Sequence, residues 1–368
     1  MRFHKERGVF LCPKIDAAKP AFTALGAHML KQQKRIRQPK YIAALTLALF
    51  AGIVLSFGWG RYPIAPRELL GILLSKAFHV EAFWNERMET VLFNIRLPRI
   101  LIACLVGSCL STAGAAYQGV FQNAMASPDI LGASAGAAFG AALAILLSFP
   151  AHLVTACAFF FSLVTVSLVS LLGGRAKGKR VLNLILSGIM VSSLFSAATS
   201  FIKLTADPNS QLPAITYWLM GSLSGAKMSD LRFVILPMAA GLIPLLLLRW
   251  RINILTLGDD EARTMGVHVN RLRLTVILCA TLVTSASVAV SGTIGWVGLI
   301  VPHLARMLCG SDYRRLMPAS LLMGALFLLL VDGVSRSLLQ TEIPIGILTA
   351  FIGAPFFLYL IMRGEARI

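Results

Sequence analysis

The sequence predicts an all-α polytopic membrane protein of ten transmembrane helices with both termini inside. Three observations carry that prediction. Of 368 residues, 57% are hydrophobic and only 14% charged, whereas soluble domains carry about 25% charged residues. Ten apolar runs recur along the chain, each close to the roughly 20 residues a helix needs to cross a bilayer. The basic residues lie between these runs, so the formal net charge of +18 reads as positive-inside topology and not as nucleic-acid binding.

Residues 1–40 carry ten Lys/Arg and two acids without a long apolar core, and read as a basic cytoplasmic extension. Met29 opens MLKQQKRIRQPK, itself a suitable cytoplasmic start. The first apolar run begins at Tyr41 and lacks a small-residue cleavage site after it, so it reads as an uncleaved first span. The predicted spans are 41–58, 99–121, 129–148, 152–172, 182–203, 230–249, 273–291, 294–309, 317–335 and 344–362. Pro302 interrupts the eighth. Together they make one membrane domain over 41–363, followed by a cytoplasmic tail, 364–368. With the N-terminus inside, the inside segments hold 24 of the 34 Lys/Arg and the outside segments 10. Without the two long segments 1–40 and 58–100, whose charges weigh less, the bias is 14 against 4.

The inside loop joining spans four and five reads GGRAKGKR (173–180) and matches most of G-x-x-x-x-G-K-[ST]. Arg180 stands where a Mg²⁺-binding hydroxyl is needed. A phosphate-binding loop must also follow a strand, and the preceding SLVTVSLVSLL is the end of a membrane span. The loop therefore reads as an orientation signal. The six cysteines and six histidines are scattered, without CxxC or HExxH, and read as packing residues and not as a metal site.

Ion-coupled transporters place ionisable groups inside their spans, and the apolar runs here hold very few. Asp332 and Arg336, four apart near the outer end of span nine, can pair on one helix face. Asp129 after Pro128 suits a helix N-terminus at the start of span three. Gly132, Gly136 and Gly140 permit close helix packing. No spacing of Ser, His, Asp or Cys suggests catalysis.

The inside segment 249–273 reads RWRINILTLGDDEARTMGVHVNRLR. Gly258 breaks the chain, Asp259, Asp260 and Glu261 suit the first turn of a short helix, and Gly266 ends it. Acids at the start of such a helix are repelled by anionic head groups, which favours docking to a protein over lying on lipid. A solvated connector is the alternative.

Several motifs, in order, resemble the FecCD family of ABC-importer permeases: IRLPRIL (95–101), YQGVFQNAMASPDILGASAGAAFG (117–140), YWLMGSL (217–223), LGDDEARTMGV (257–267), SGTIGWVGLIVPHLAR (291–306) and EIPIGILTAFIGAPFF (342–357). The resemblance runs from about Tyr41 to Arg363. It implies the type II importer permease fold and a homodimer with the translocation path on its two-fold axis. It further implies two ATPase subunits inside, a substrate-binding protein outside, and a bacterial inner-membrane location. ATP and Mg²⁺ would sit on the ATPase, leaving this chain non-catalytic and without a cofactor. The cargo implied is an iron chelate (siderophore or heme), with cobalamin or an oxyanion as alternatives.

Carried over residue by residue, the resemblance makes Arg96, Arg99 and Arg336 docking groups for carboxylates of the binding protein, and all three fall outside in the charge-derived topology. Arginine suits the role because its planar fork grips a carboxylate with two hydrogen bonds. The segment from Gly258 to Gly266 resembles the helix that seats in the ATPase, with Asp260, Glu261, Ala262, Arg263, Met265 and Gly266 as contacts. Val181 and Leu182 align with the inner gate, elsewhere small hydroxylated residues. NAMASP (123–128) departs from the family's N-P-L-A-x-P at Ala124. Competing classes are an ion-coupled secondary transporter, an integral-membrane enzyme and a membrane scaffold, and the scarcity of buried charge and of catalytic groups opposes the first two.

Overall fold

A computed structural model describes residues 38–60, 62, 64–75, 84–175 and 180–362. Most of the basic extension, the tail 364–368 and Ala176–Lys179 of the GGRAKGKR loop lie outside the described residues. The chain divides at Tyr41, and the unit from Ile42 onward holds the helical domain. The described residues contain helices and no strand.

In chain order the helices are α1 (Gln38–Gly58), α2 (Pro66–Ser75), α3 (Glu86–Phe121), α4 (Ala133–Leu146), α5 (Ala151–Arg175), α6 (Arg180–Thr205) and α7 (Gln211–Leu219). They continue as α8 (Met228–Leu247), α9 (Arg249–Leu255), α10 (Asp259–Thr264), α11 (Val269–Ser291), α12 (Val297–Cys309), α13 (Tyr313–Ser337) and α14 (Ile345–Met362). Seven are long and apolar enough to cross a bilayer: α1, α3, α5, α6, α8, α11 and α13. The other three predicted spans fall on the shorter apolar helices α4, α12 and α14. At 1.5 Å per residue, the 13 residues of α12 reach about 20 Å, short of a hydrocarbon core of about 30 Å. α12 runs unbroken through Pro302.

The centre of the domain is α3, whose most apolar stretch is 83% buried against 17% for α1 and α6. It packs against α11, α12 and α13. Glycines set these distances. A Cβ on Gly107 would collide with the carbonyl of Gly324 on α13, and one on Gly114 with that of Gly298 on α12. The small-residue run of α4 works likewise. Gly136 and Gly140 bring its backbone onto Phe161 and Cys157 of α5, and Ala137, Ala141 and Ala144 form a buried cluster with Ala158 and Val288.

Helix α4 begins at Ala133 and not at the predicted 129. A 3-10 turn, Pro128–Leu131, comes first, capped by the Ser127 side chain, and Gly132 takes φ +77 before the helix starts. Asp129 therefore serves that turn and accepts a hydrogen bond from Ser134 Oγ. Helix α5 continues through Gly173 and Gly174 to Arg175. The residues before AKGKR are thus helical, and the strand that a phosphate-binding loop requires is not there.

Candidate docking and coupling sites

Two clusters lie at opposite predicted ends of the spans. The first gathers the three arginines singled out in the sequence. Arg96 ends a π-helical stretch of α3, Val91–Arg96, the kind of local irregularity that marks functional sites. Its guanidinium donates to the backbone carbonyls of Phe57 and Tyr62. Gly60 leaves room for it, since a Cβ there would stand 3.0 Å from Arg96 Nη2. One turn on, Arg99 Nε donates to Asp332 Oδ1 at 2.9 Å, and its Nη1 reaches the Glu342 carboxylate at 3.0 Å. Arg336 Nε lies 3.1 Å from Asp332 Oδ2, the i,i+4 pair expected from spacing, and its Nη2 donates to Ser56 Oγ at 2.8 Å.

The Asp332–Arg336 pair forms on one face of α13 as the spacing predicts, with Asp332 fully buried. Arg96, Arg99 and Arg336 are only 3%, 4% and 7% exposed, and all three bond within their own chain. Arg336 also lines a surface cleft with Trp59, Gly60 and Gln340. Removing two charges from water is costly and is offset only by good mutual geometry. Here one carboxylate faces two guanidinium groups and a second carboxylate caps the set. Glu342 and Ser56 were not foreseen: they belong to other helices or loops and carry no local signal.

The second cluster is α10. Gly258 takes φ +126 and Gly266 φ +79, conformations that suit glycine, and they bracket a helix of six residues, Asp259–Thr264. Boundaries and first-turn acids agree with the sequence prediction. The side chains of Asp260 and Arg263 are 91% and 59% exposed and pair at 3.1 Å, an exposed contact worth little energy. Glu261 is exposed, as is Met265. Ala262 is fully buried, which removes it from the predicted contact face. It falls three residues after Asp259, on the side of α10 turned into the protein. Asp259 also turns inward, its carboxylate meeting both Nη atoms of Arg273 on α11 at 2.8 and 3.3 Å. Val181 is half-buried and Leu182 exposed in the first turn of α6.

A family model described as "FecCD transport family" matches residues 47–363. The chain belongs to the FecCD transport family. Among FecCD relatives, the molybdate import system permease protein MolB of Haemophilus influenzae is 41% identical over 329 residues, covering 89% of this chain and 97% of the relative. The Fe(3+)-citrate import system permease protein YfmE of Bacillus subtilis is 36% identical over 351 residues, covering 92% and 99%. A solved structure described as an inward-facing metal-chelate type ABC transporter superposes with TM-score 0.79 at 40% identity, covering 88% of this chain and 99% of that one. This FecCD chain is therefore a multi-pass membrane protein with the type II importer permease fold, and the permease subunit of an ABC importer.

Proposed function

We propose that this permease carries an iron chelate, a siderophore complex or heme, inward across the bacterial inner membrane. Two copies would form the path, with α6 and its gate residues Val181 and Leu182 lining it. All ten apolar helices would cross the bilayer, within a ten-helix domain spanning 41–363. A substrate-binding protein would deliver the cargo to the arginine cluster, and two ATPase chains, holding ATP and Mg²⁺, would seat on α10. The observation that carries the coupling part is α10 itself: a six-residue helix between two positive-φ glycines, presenting Asp260, Glu261, Arg263 and Met265 to solvent. A ligand can shift such a transporter only through different affinities for its states, and an exposed helix of this kind is a surface through which ATP closure would act.

A second reading, import of a tetrahedral oxyanion, is favoured by the 41% identity to the molybdate permease. Reconstitution with the ATPase and binding protein decides between them. Radiolabelled ferric citrate, hemin and molybdate are offered to liposomes loaded with ATP. Uptake of a chelate with molybdate excluded supports the first reading, and the reverse supports the second. Uptake driven by an ion gradient without ATP would overturn both.

A further inference from the structure

The pair between Asp259 and Arg273 has no part in the reading above. Asp259 and Asp260 are neighbours with different surroundings. Asp260 points to solvent, while Asp259 opposes the guanidinium fork of Arg273, a residue only 4% exposed. Two parallel hydrogen bonds between a planar fork and a carboxylate fix orientation as well as distance. Helix α10 needs such fixing. Isolated helices shorter than about 12 residues are marginal in water, and this one has six residues with a glycine in the positive-φ region at each side. Two inward side chains hold it: Ala262 by packing and Asp259 by charge. Arg273 stands near the start of α11, and α11 packs along the central α3.

We infer that Asp259 and Arg273 are positioning residues for energy coupling, locking α10 to the base of α11 so that both move as one body. Displacement at the exposed face of α10 is then delivered to α11 and onward to α3. Without the pair it would be absorbed by rotation at Gly258 and Gly266. This rests on the proposed seating of the ATPase on α10.

The test uses the full permease–ATPase complex with its binding protein, wild type against Asp259→Asn, Arg273→Lys and the exchange Asp259→Arg/Arg273→Asp. Hydrogen exchange of the amides in 259–267 is read first, because it needs no cargo. Both single variants are expected to exchange about tenfold faster, with the ATPase still bound, and the exchange variant to regain slow exchange. Uptake per ATP hydrolysed is read next with ferric citrate and molybdate as probes. It is expected to fall about tenfold in the single variants and to recover in the exchange variant. Unaltered hydrogen exchange overturns the inference, as does faster exchange with unaltered uptake per ATP, which would leave the pair a structural contact only. If the wild type imports neither probe, ferric citrate and molybdate are both excluded as cargo. The pair is then decided by hydrogen exchange together with the dependence of ATP hydrolysis on the permease. If α10 fails to bind the ATPase even in the wild type, the seating itself is refuted.

Discussion

Asp332 accepts from Arg99 of another helix while lying beside Arg336 of its own. Replacing it by alanine leaves Arg336 with no carboxylate and Arg99 with Glu342 alone, and losing one partner of a buried pair costs about 3–5 kcal/mol. The expected outcome for Asp332→Ala is a lowered thermal midpoint in detergent and a poor yield of folded protein. Docking is tested more gently by Arg336→Gln, since Arg336 alone of the trio lines the outer cleft. That variant should weaken association with the binding protein about tenfold, as loss of a charged contact does, while leaving ATPase association untouched. Equal affinity of wild type and variant for the binding protein would remove Arg336 from the docking set. The spacing of four between Asp332 and Arg336 was readable in the sequence. The bond from Arg99 to Asp332 was not, because 233 positions separate them and nothing local in either segment announces the other.

Among elements, α10 was legible almost to the residue, since glycines with positive φ and first-turn acids are local signals that need no tertiary contact to act. Its facing was not legible. Only packing decided that Ala262 turns inward while Arg263 and Met265 stay exposed. Arg263→Glu and Met265→Ala should each weaken ATPase association by about 1–2 kcal/mol without moving the thermal midpoint, measured by co-purification at graded ATPase concentrations. The contact of α3 with α12 makes the opposite kind of prediction. Gly114→Ala forces a Cβ onto the Gly298 carbonyl, so backbone must shift, at about 1–3 kcal/mol for overpacking. Its midpoint should drop even though the substitution raises helix propensity. The late start of α4 has a comparable cause: Pro128 and the left-handed Gly132 enforce a tight turn where apolar composition alone suggested continuous helix.

At the level of the whole chain, contacts near the helix ends bring together ends that the charge count predicts to share a side. Ser56, Arg99, Asp332 and Glu342, all from predicted outer ends, meet in one cluster. At the predicted inner ends, Gln122 donates to Leu255 O at 2.7 Å, and Asn253 accepts from the Tyr313 N–H at 3.2 Å. Such bonds fix which ends lie together, and the excess of Lys/Arg assigns the shared side. A membrane-impermeant maleimide should therefore label Gln340→Cys on intact cells or spheroplasts, and Leu182→Cys only after permeabilisation, in a background freed of native cysteines. Labelling with the two sites reversed would invert the topology.

By itself, the sequence determined the class, the positions of the apolar helices and the short helix after Gly258, and it predicts their sidedness. Those follow from how individual segments partition between water, lipid and charge, and each segment settles its own answer. Only the tertiary structure decided which charges are buried together, which side of α10 faces outward, and that Asp259 grips Arg273 while Asp260 does not. These depend on helices brought into contact through glycine-lined interfaces such as Gly107 with Gly324. Distance in space, unlike local composition, is a property of the packed chain.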